Sequence, residues 1–180
     1  MEFRVEPVEA SATWALRQAV LRPHETVEQV ARSDADDDGD RSATFAALAP
    51  DGEVVGSVRV APGRPPSTVG GHGAVAGGPW RLRGMATRDD ARNLGIGTAV
   101  LARVLRHVQE QGGGLVWCNA RVAAVGLYGR AGLVVHGEAW DDPDVGPHIV
   151  MWRVIESAPS ASAPSASAPS DQAPSDTVPS

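Results

Sequence analysis

Residues 80–98, WRLRGMATRDDARNLGIGT, constrain this chain more than any other segment. The pattern predicts a strand over residues 80–87, a polar link, and a helix over residues 98–111 with one apolar face. Gly95 and Gly97 leave backbone N–H groups unobstructed just where the helix begins. Because a helix N-terminus carries partial positive charge, the segment predicts an anion site suited to a pyrophosphate.

Two common phosphate-binding motifs do not fit this turn. A dinucleotide fold requires Gly-x-Gly-x-x-Gly, but the sixth residue counted from Gly95 is Val100. A P-loop requires Gly-Lys-Ser/Thr, and the chain contains no lysine. The pattern present is Arg-x-x-Gly-x-Gly, formed by Arg92, Asn93, Leu94, Gly95, Ile96 and Gly97. A simple tight turn before a helix would also account for the two glycines.

The remaining periodicity predicts a mixed α/β domain with one central sheet. The further predicted strands are residues 3–8, 44–49, 53–61, 115–120, 134–140 and 148–155, and the further predicted helices are residues 11–22, 24–32 and 122–131. Asp51 and Gly52 favour a hairpin turn between the second and third strands. In the first helix the expected buried stripe is Trp14, Leu16, Ala19, Val20 and Leu21. Residues 62–79 are rich in glycine and proline and are expected to form a loop.

The chain is expected to consist of an ordered domain followed by a disordered tail. Residues 1–156 are predicted to form the domain. Residues 157–180 repeat Ala-Pro-Ser, bury nothing apolar, and are predicted to be a disordered tail. One alternative function follows from the tail, namely an interaction protein whose tail recruits partners.

Charge and composition exclude several classes of function. The net charge is −6 and there is no basic run, which argues against a nucleic acid or anionic membrane partner. No apolar signal or membrane-spanning segment is evident, so a cytoplasmic location is expected. The single cysteine, Cys118, cannot form an intrachain disulfide or a cysteine metal cluster. The aspartate-rich run 34–40 lacks the glutamate that closes a calcium loop, so it is interpreted as a solvated loop and no metal is expected.

The strand–turn–helix segment resembles the acyl-CoA pyrophosphate motif of the GNAT N-acetyltransferase superfamily. The similarity covers about residues 3–155, and residues 82–86 (LRGMA), 117–121 (WCNAR), 146–148 (GPH) and 151–152 (MW) resemble a bacterial subgroup of uncharacterised acetyltransferases. This resemblance implies a GNAT-like fold: a mixed, mostly antiparallel central sheet flanked by helices, with strands splayed at the cofactor cleft. It also implies acetyl-CoA as cosubstrate and a small-molecule or peptide amine as acceptor.

The resemblance assigns cofactor-binding residues. Backbone groups of Met85, Ala86 and Thr87 would bond to the pantetheine amides, and an N–H of this strand would face the thioester oxygen. The pyrophosphate would lie on the turn formed by Arg92, Asn93, Leu94, Gly95, Ile96, Gly97 and Thr98. Asn119, at a strand end, would orient pantetheine or substrate.

Two catalytic residues are expected. Tyr128 occupies the position of a tyrosine common in the superfamily, and a phenol pKa of about 10 lies above the roughly 8.5 of a thiol. Tyr128 could therefore protonate or hydrogen-bond the departing thiolate, or it could simply pack on the sheet. The preferred general base is His148, because histidine titrates near neutral pH. The other candidates for the base are His24, Glu25 and Glu138.

The chain also departs from the superfamily pattern. Arg121 stands where many members have asparagine, Leu133 replaces a usual phenylalanine, and residues 80–87 lack the common glutamate. Arg121 and the missing glutamate keep open a non-catalytic acyl-CoA-binding or sensing module, whereas Leu133 is a packing change. For the acceptor, the aspartates Asp141, Asp142 and Asp144 could favour a cationic amine or could be solvated turn residues. Domains of this superfamily often pair through edge strands, so the resemblance also allows a homodimer.

Overall fold

The computed structural model describes residues 1–35, 39–69 and 77–158. Its strands are β1 (Arg4–Val8), β2 (Ala43–Leu48), β3 (Val54–Pro62), β4 (Pro79–Thr87), β5 (Gly114–Arg121), β6 (Val134–Asp142) and β7 (Gly146–Ile155). Its α-helices are α1 (Trp14–Leu21), α2 (Val27–Ala35), α3 (Ile96–Glu110) and α4 (Val125–Arg130). Short 3-10 helices cover Ala10–Thr13, Asp89–Ala91 and Val122–Ala124. The predicted order of strands and helices is confirmed.

All seven strands join one sheet in the order β1-β2-β3-β4-β5-β7-β6. Every neighbouring pair is antiparallel except β4 and β5, which run parallel. The predicted mixed, mostly antiparallel sheet flanked by helices is therefore confirmed. The β2–β3 hairpin turns at Gly52, whose φ of 88° explains the glycine there.

The parallel strands β4 and β5 stay together only briefly. Their paired residues are Pro79 with Leu115, Trp80 with Val116, and Arg81 with Trp117. Beyond Arg81 the strands diverge, which confirms the predicted splay. A bulge accompanies the divergence: the β3–β4 register shifts between Ser57 and Arg59. Gly84 lies opposite the shift with a φ of 58°, and its carbonyl accepts a hydrogen bond of 2.8 Å from the Ser57 hydroxyl.

The two faces of the sheet carry different helices. On one, called here the α3 face, Val116 and Cys118 of β5 share a core with Val100 and Val104 of α3. Because side chains alternate along a strand, Trp117 points to the opposite face, called here the α1 face. The helices α1 and α2 pack there, and α1 contacts β3 and β4. The sheet thus separates two compartments, and the splay of β4 and β5 leaves a gap between them.

A buried ion pair fixes α1 and α2 to the sheet. Asp34 is 1% exposed and accepts a hydrogen bond of 2.8 Å from Nη2 of Arg17, which also donates through Nη1. Trp14 donates through Nε1 at 3.0 Å, and Nε of Arg59 on β3 lies 4.0 Å away. Burial acts to raise the pKa of Asp34, but hydrogen bonding and charge from Arg17, helped by Trp14 and Arg59, outweigh burial and lower it.

This cluster corrects the sequence-based interpretation of the aspartate run. Asp34 does not belong to a solvated loop, because α2 extends through Ala35 and begins at Val27 rather than at residue 24. The next three residues of the run, 36–38, lie outside the described residues. The expected stripe on α1 was also wrong in part. Arg17 is the buried residue of that helix, because its side chain points toward its polar partner Asp34, and Ala19 is exposed.

Other boundaries differ modestly. The helix expected from residue 98 begins at Ile96, so the second glycine of the motif lies inside its first turn. The first and last residues of the predicted loop 62–79 belong to strands β3 and β4. Within this loop, Val69 is buried against Leu115 and Trp117 on the α1 face. Residues 70–76 of that loop, and residues 159–180 of the predicted tail, lie outside the described residues.

Replacing Asp34 with Asn should destabilise the domain by about 3–5 kcal/mol, because it leaves the buried Arg17 without its counter-charge. The folded-state pKa of Asp34 is lowered, so its stabilising contribution is present above its unfolded pKa of about 3.9 and disappears as pH falls. Chemical denaturation at several pH values measures both effects. The exposed Asp141→Asn is the matched control and should change stability by about 0.5 kcal/mol or less. Equal losses for the two variants would contradict this account.

Candidate active site

A cavity of about 780 Å³ opens where β4 and β5 diverge. It reaches from the start of α3, past the ends of β4 and β5, to α1 and to the first residues of β7. Its wall includes these predicted site residues: Met85, Ala86, Thr87, Arg92, Asn93, Gly95, Ile96, Gly97, Thr98, Asn119, Tyr128 and His148. Leu94 does not line it, and its side chain is 44% exposed. The structure therefore brings together residues that are up to 63 positions apart, from Met85 to His148.

The start of α3 presents unpaired backbone donors to this cavity. Gly95 is the N-cap residue, with a φ of 81°, and no side chain caps the helix. Asn93 also has a positive φ, of 64°, so the turn bends sharply into the helix. A Cβ on Gly95 would meet no atom within 4 Å, so this position faces open space. The first helical N–H groups lack intrahelical partners, and the turn fits a pyrophosphate.

The edge of β4 offers a second set of backbone groups. Ala86 and Thr87 pair with Ser57 and Gly56 on the β3 side. Their other side faces the gap that opens after Arg81, where β5 no longer pairs. An extended ligand with amide groups could continue the sheet there, in the manner of an added strand. This edge fits the amides of a pantetheine arm.

Tyr128 lies on the α3 face at the cavity wall. It is 5% exposed and belongs to the same buried cluster as Cys118 of β5. Burial raises the pKa of Tyr128 above the ordinary tyrosine value, and Cys118 adds to the rise. Burial likewise raises the pKa of the Cys118 thiol to about 12, despite opposing hydrogen bonds from Met151 and Tyr128. Both groups stay protonated at neutral pH.

His148 lies on the α1 face with its ring orientation fixed. Its Nδ1 is 2.7 Å from the carbonyl oxygen of Gly146. Because a carbonyl only accepts hydrogen bonds, Nδ1 must carry the proton, and in the neutral ring Nε2 is left as the acceptor. The ring of Trp140 packs against it with centroids 5.9 Å apart. His148 is thus held in the tautomer that a general base requires.

The other candidates for the base do not reach the cavity wall. His24 is 43% exposed in its side chain and lies 4.0 Å from Glu25, which pairs with Arg22 at 2.7 Å. Neither His24 nor Glu25 lines the cavity, and Glu138 does not line it either. Of the candidates named from the sequence, only His148 lines the cavity.

The turn aspartates do not line the cavity. Oδ1 of Asp142 accepts backbone hydrogen bonds from Asp144 at 3.0 Å and Val145 at 3.2 Å, so this carboxylate holds its own turn together. Asp141 and Asp144 are exposed. The interpretation of these aspartates as turn residues agrees with this arrangement.

Sequence reasoning missed most of the cationic residues in the wall. Arg17, Arg22, Arg83, Arg121 and Arg130 all line the cavity. Strand alternation could have placed Arg121 beside Asn119 on one face of β5, because residues two apart share a face. Nothing local in the sequence indicated Arg17, whose partner Asp34 is 17 residues away.

Within residues 1–35, 39–69 and 77–158, no three His, Cys, Asp or Glu side chains lie close enough together to hold a metal ion. The helices of those same segments are each too short or too polar to cross a membrane.

Comparison with known proteins defines the class. The sequence profile described as "Acetyltransferase (GNAT) family" matches residues 12–133. The chain therefore belongs to the GNAT acetyltransferase family. It is 28% identical over 156 residues to the uncharacterised N-acetyltransferase YitI of Bacillus subtilis, covering 87% of this chain and 99% of that protein.

Solved structures show the same fold. A GNAT phosphinothricin acetyltransferase from Sinorhizobium meliloti, in complex with acetyl-CoA, superposes with a TM-score of 0.65 at 15% identity, covering 87% of this chain and 90% of that one. A GCN5-related N-acetyltransferase from Kribbella flavida gives a TM-score of 0.62 at 22% identity, with 84% and 97% coverage. At these identities the likeness concerns the fold alone.

Tyr128 is the only tyrosine in the chain, so its ionisation can be followed directly by phenolate ultraviolet absorbance. Because its folded-state pKa is raised, no phenolate signal should appear about one pH unit above the ordinary value of about 10. The raised pKa also implies that the contribution of Tyr128 to stability is full below its unfolded pKa and declines as pH rises above it. The signal should appear only together with loss of tertiary structure, followed by near-ultraviolet circular dichroism. A phenolate signal with the fold intact would contradict the buried placement.

Proposed function

We propose that this protein transfers the acetyl group of acetyl-CoA directly to an amine of a small molecule or peptide. The observation that carries the proposal is one cavity connecting the α3 N-terminus, through the gap between β4 and β5, to His148 on the opposite face. Family membership supports the acetyltransferase class. The direct route requires both substrates to be bound together, and the cavity has lining residues on both faces of the sheet, one face for each substrate.

The chain's own residues divide the binding of acetyl-CoA between two elements. The free N–H groups at the start of α3, with Arg92 nearby, would hold the pyrophosphate. The open edge of β4 at Met85, Ala86 and Thr87 would hold the pantetheine amides and place an N–H near the thioester oxygen. When bound, acetyl-CoA supplies the activated acetyl group.

The two predicted catalytic residues approach the gap from opposite faces. Nε2 of His148 is available to accept the proton that an ammonium acceptor must lose before it attacks. On the α3 face, the hydroxyl of Tyr128 is kept protonated by its raised pKa. It is therefore suited to donate a hydrogen bond to the departing sulfur, rather than to release its proton completely.

A non-catalytic acyl-CoA-binding module is the alternative. Such a module needs the α3 turn and the β4 edge to bind acyl-CoA. It does not need a part of the cavity on the α1 face. The cavity continues into that face and ends beside a histidine whose tautomer is fixed. This continuation favours transfer to a second substrate over binding alone.

The cofactor assignment predicts that acetyl-CoA binds with a dissociation constant on the order of micromolar in calorimetric titration. Gly97→Val should raise this dissociation constant at least about tenfold, because the added side chain starts beside Met85 and Thr87 in the proposed pantetheine path. The fold should tolerate it, since a Cβ there lies 3.4 Å from Leu127 and 3.6 Å from Thr87, ordinary contact distances. Gly129→Val on α4, outside the cavity and with nothing within 4 Å, is the control. Absence of acetyl-CoA binding to the unaltered protein would refute the assignment.

The catalytic assignment predicts that His148→Gln lowers kcat by about 100-fold or more and leaves acetyl-CoA affinity unchanged. Tyr128→Phe should lower kcat about tenfold or more, again without loss of affinity, because only a hydrogen bond to the leaving sulfur is removed. Release of free thiol with a screened amine measures kcat. His136→Gln, on β6 and outside the cavity, controls for loss of an imidazole. Full turnover by His148→Gln would exclude His148 as the base.

A further inference from the structure

The charge of the cavity wall is one-sided. Among the residues that the structure describes, the wall contains no aspartate or glutamate. It does contain six arginines: Arg17, Arg22, Arg83, Arg92, Arg121 and Arg130. Acetyl-CoA is itself an anion, so some of these arginines could bind the cofactor instead of the acceptor.

The sheet separates the arginines into two groups. Arg92 precedes α3 and Arg130 ends α4, so both lie on the α3 face with the proposed pyrophosphate site. Arg121 lies two residues beyond Asn119 and four beyond Trp117 on β5, which places it on the α1 face. Its Nη2 donates a hydrogen bond of 2.8 Å to the carbonyl of Leu21 at the end of α1. Arg121 therefore faces the part of the cavity on the α1 face, called here the acceptor compartment, across the sheet from the proposed pyrophosphate site.

The arginines on the α1 side of the cavity differ in their partners. Arg22 pairs with Glu25 at 2.7 Å, outside the wall. Deeper in, Arg17 pairs with the buried carboxylate of Asp34. Within the described residues Arg121 forms no ion pair, and its hydrogen bond to Leu21 uses one of its five N–H donors. Arg121 therefore has donors left to bind an anionic group of a ligand.

Arg121 is also a direct neighbour of the proposed base. It pairs with His148 across the antiparallel β5–β7 ladder, and both side chains line the cavity. Side chains in such a pair start about 5 Å apart on the same face. A ligand whose amine reaches His148 can thus place a nearby negative group on Arg121.

We propose that the acceptor is an amine that also carries a carboxylate, of the amino-acid class, and that Arg121 binds that carboxylate. The inference rests on the proposed acetyltransferase function and specifies its substrate. The planar guanidinium matches a carboxylate through two parallel hydrogen bonds, which would orient the neighbouring amine toward Nε2 of His148. A polyamine would instead place a second cationic group beside the guanidinium of Arg121.

The test compares acceptors that differ only in the carboxylate. Free thiol release is measured with each standard amino acid, with its α-carboxamide, and with the polyamine spermidine. At least one acid should be acetylated with a kcat/KM about tenfold or more above that of its amide. Arg121→Gln should lower kcat/KM for that acid about 10- to 100-fold while changing the amide little, so that the difference disappears.

Two variants separate substrate binding from a structural effect. Arg121→Lys keeps the charge and can still donate to Leu21, so it should lose less activity with the acid than Arg121→Gln does. Arg106→Gln, exposed on α3 and outside the cavity, removes the same charge and should leave both acceptors unaffected. Equal losses with acid and amide in Arg121→Gln would show a structural role and overturn the inference.

The remaining outcomes distinguish the inference from the function on which it rests. If acetyl-CoA binds but amides or spermidine are acetylated as well as the acids, or no acid is acetylated, the carboxylate inference alone is overturned. If acetyl-CoA does not bind in the calorimetric titration, the proposed function fails and the inference falls with it.

Discussion

The early end of the β4–β5 pairing is the constraint on which the rest of this structure depends. Only three residue pairs join these parallel strands before they separate. Had the ladder continued, the sheet would divide the molecule completely, and the edge of β4 would have no free backbone groups. Because it stops at Arg81, a ligand can replace the missing strand partner and pass from the α3 face to the α1 face.

The bulge at Gly84 is positioned to maintain that divergence. A Cβ at Gly84 would lie 2.6 Å from Nε of Arg17, in addition to the strain of a positive φ. The buried Arg17 therefore packs directly on the backbone of the bulge, and Asp34 fixes Arg17. The ion pair that anchors α1 and α2 to the sheet thus also bears on the shape of the cavity, so a change at Asp34 would affect both stability and the acceptor compartment.

What could be predicted from the sequence was local. Periodicity and turn residues identified each strand and helix, and the Arg92 to Gly97 motif indicated where a pyrophosphate would bind, because both signals lie within one segment. The partnership of Arg17 with Asp34 joins two helices through a polar contact, for which hydrophobic periodicity offers no signal, so Asp34 was assigned to a loop. The chemistry of histidine made His148 the preferred base, but its tautomer depends on a distance to Gly146 that only the structure supplies.

The use of arginine alone for positive charge suits a site of this kind. A lysine in the acceptor compartment would present its own amine to the acetyl donor and compete with the substrate. Arginine keeps its charge at all relevant pH values and offers paired donors to phosphates on the α3 face and to a carboxylate on the α1 face. Under the proposed function the same residue type would bind both substrates, and the sheet between Arg92 and Arg121 would separate the two kinds of anion.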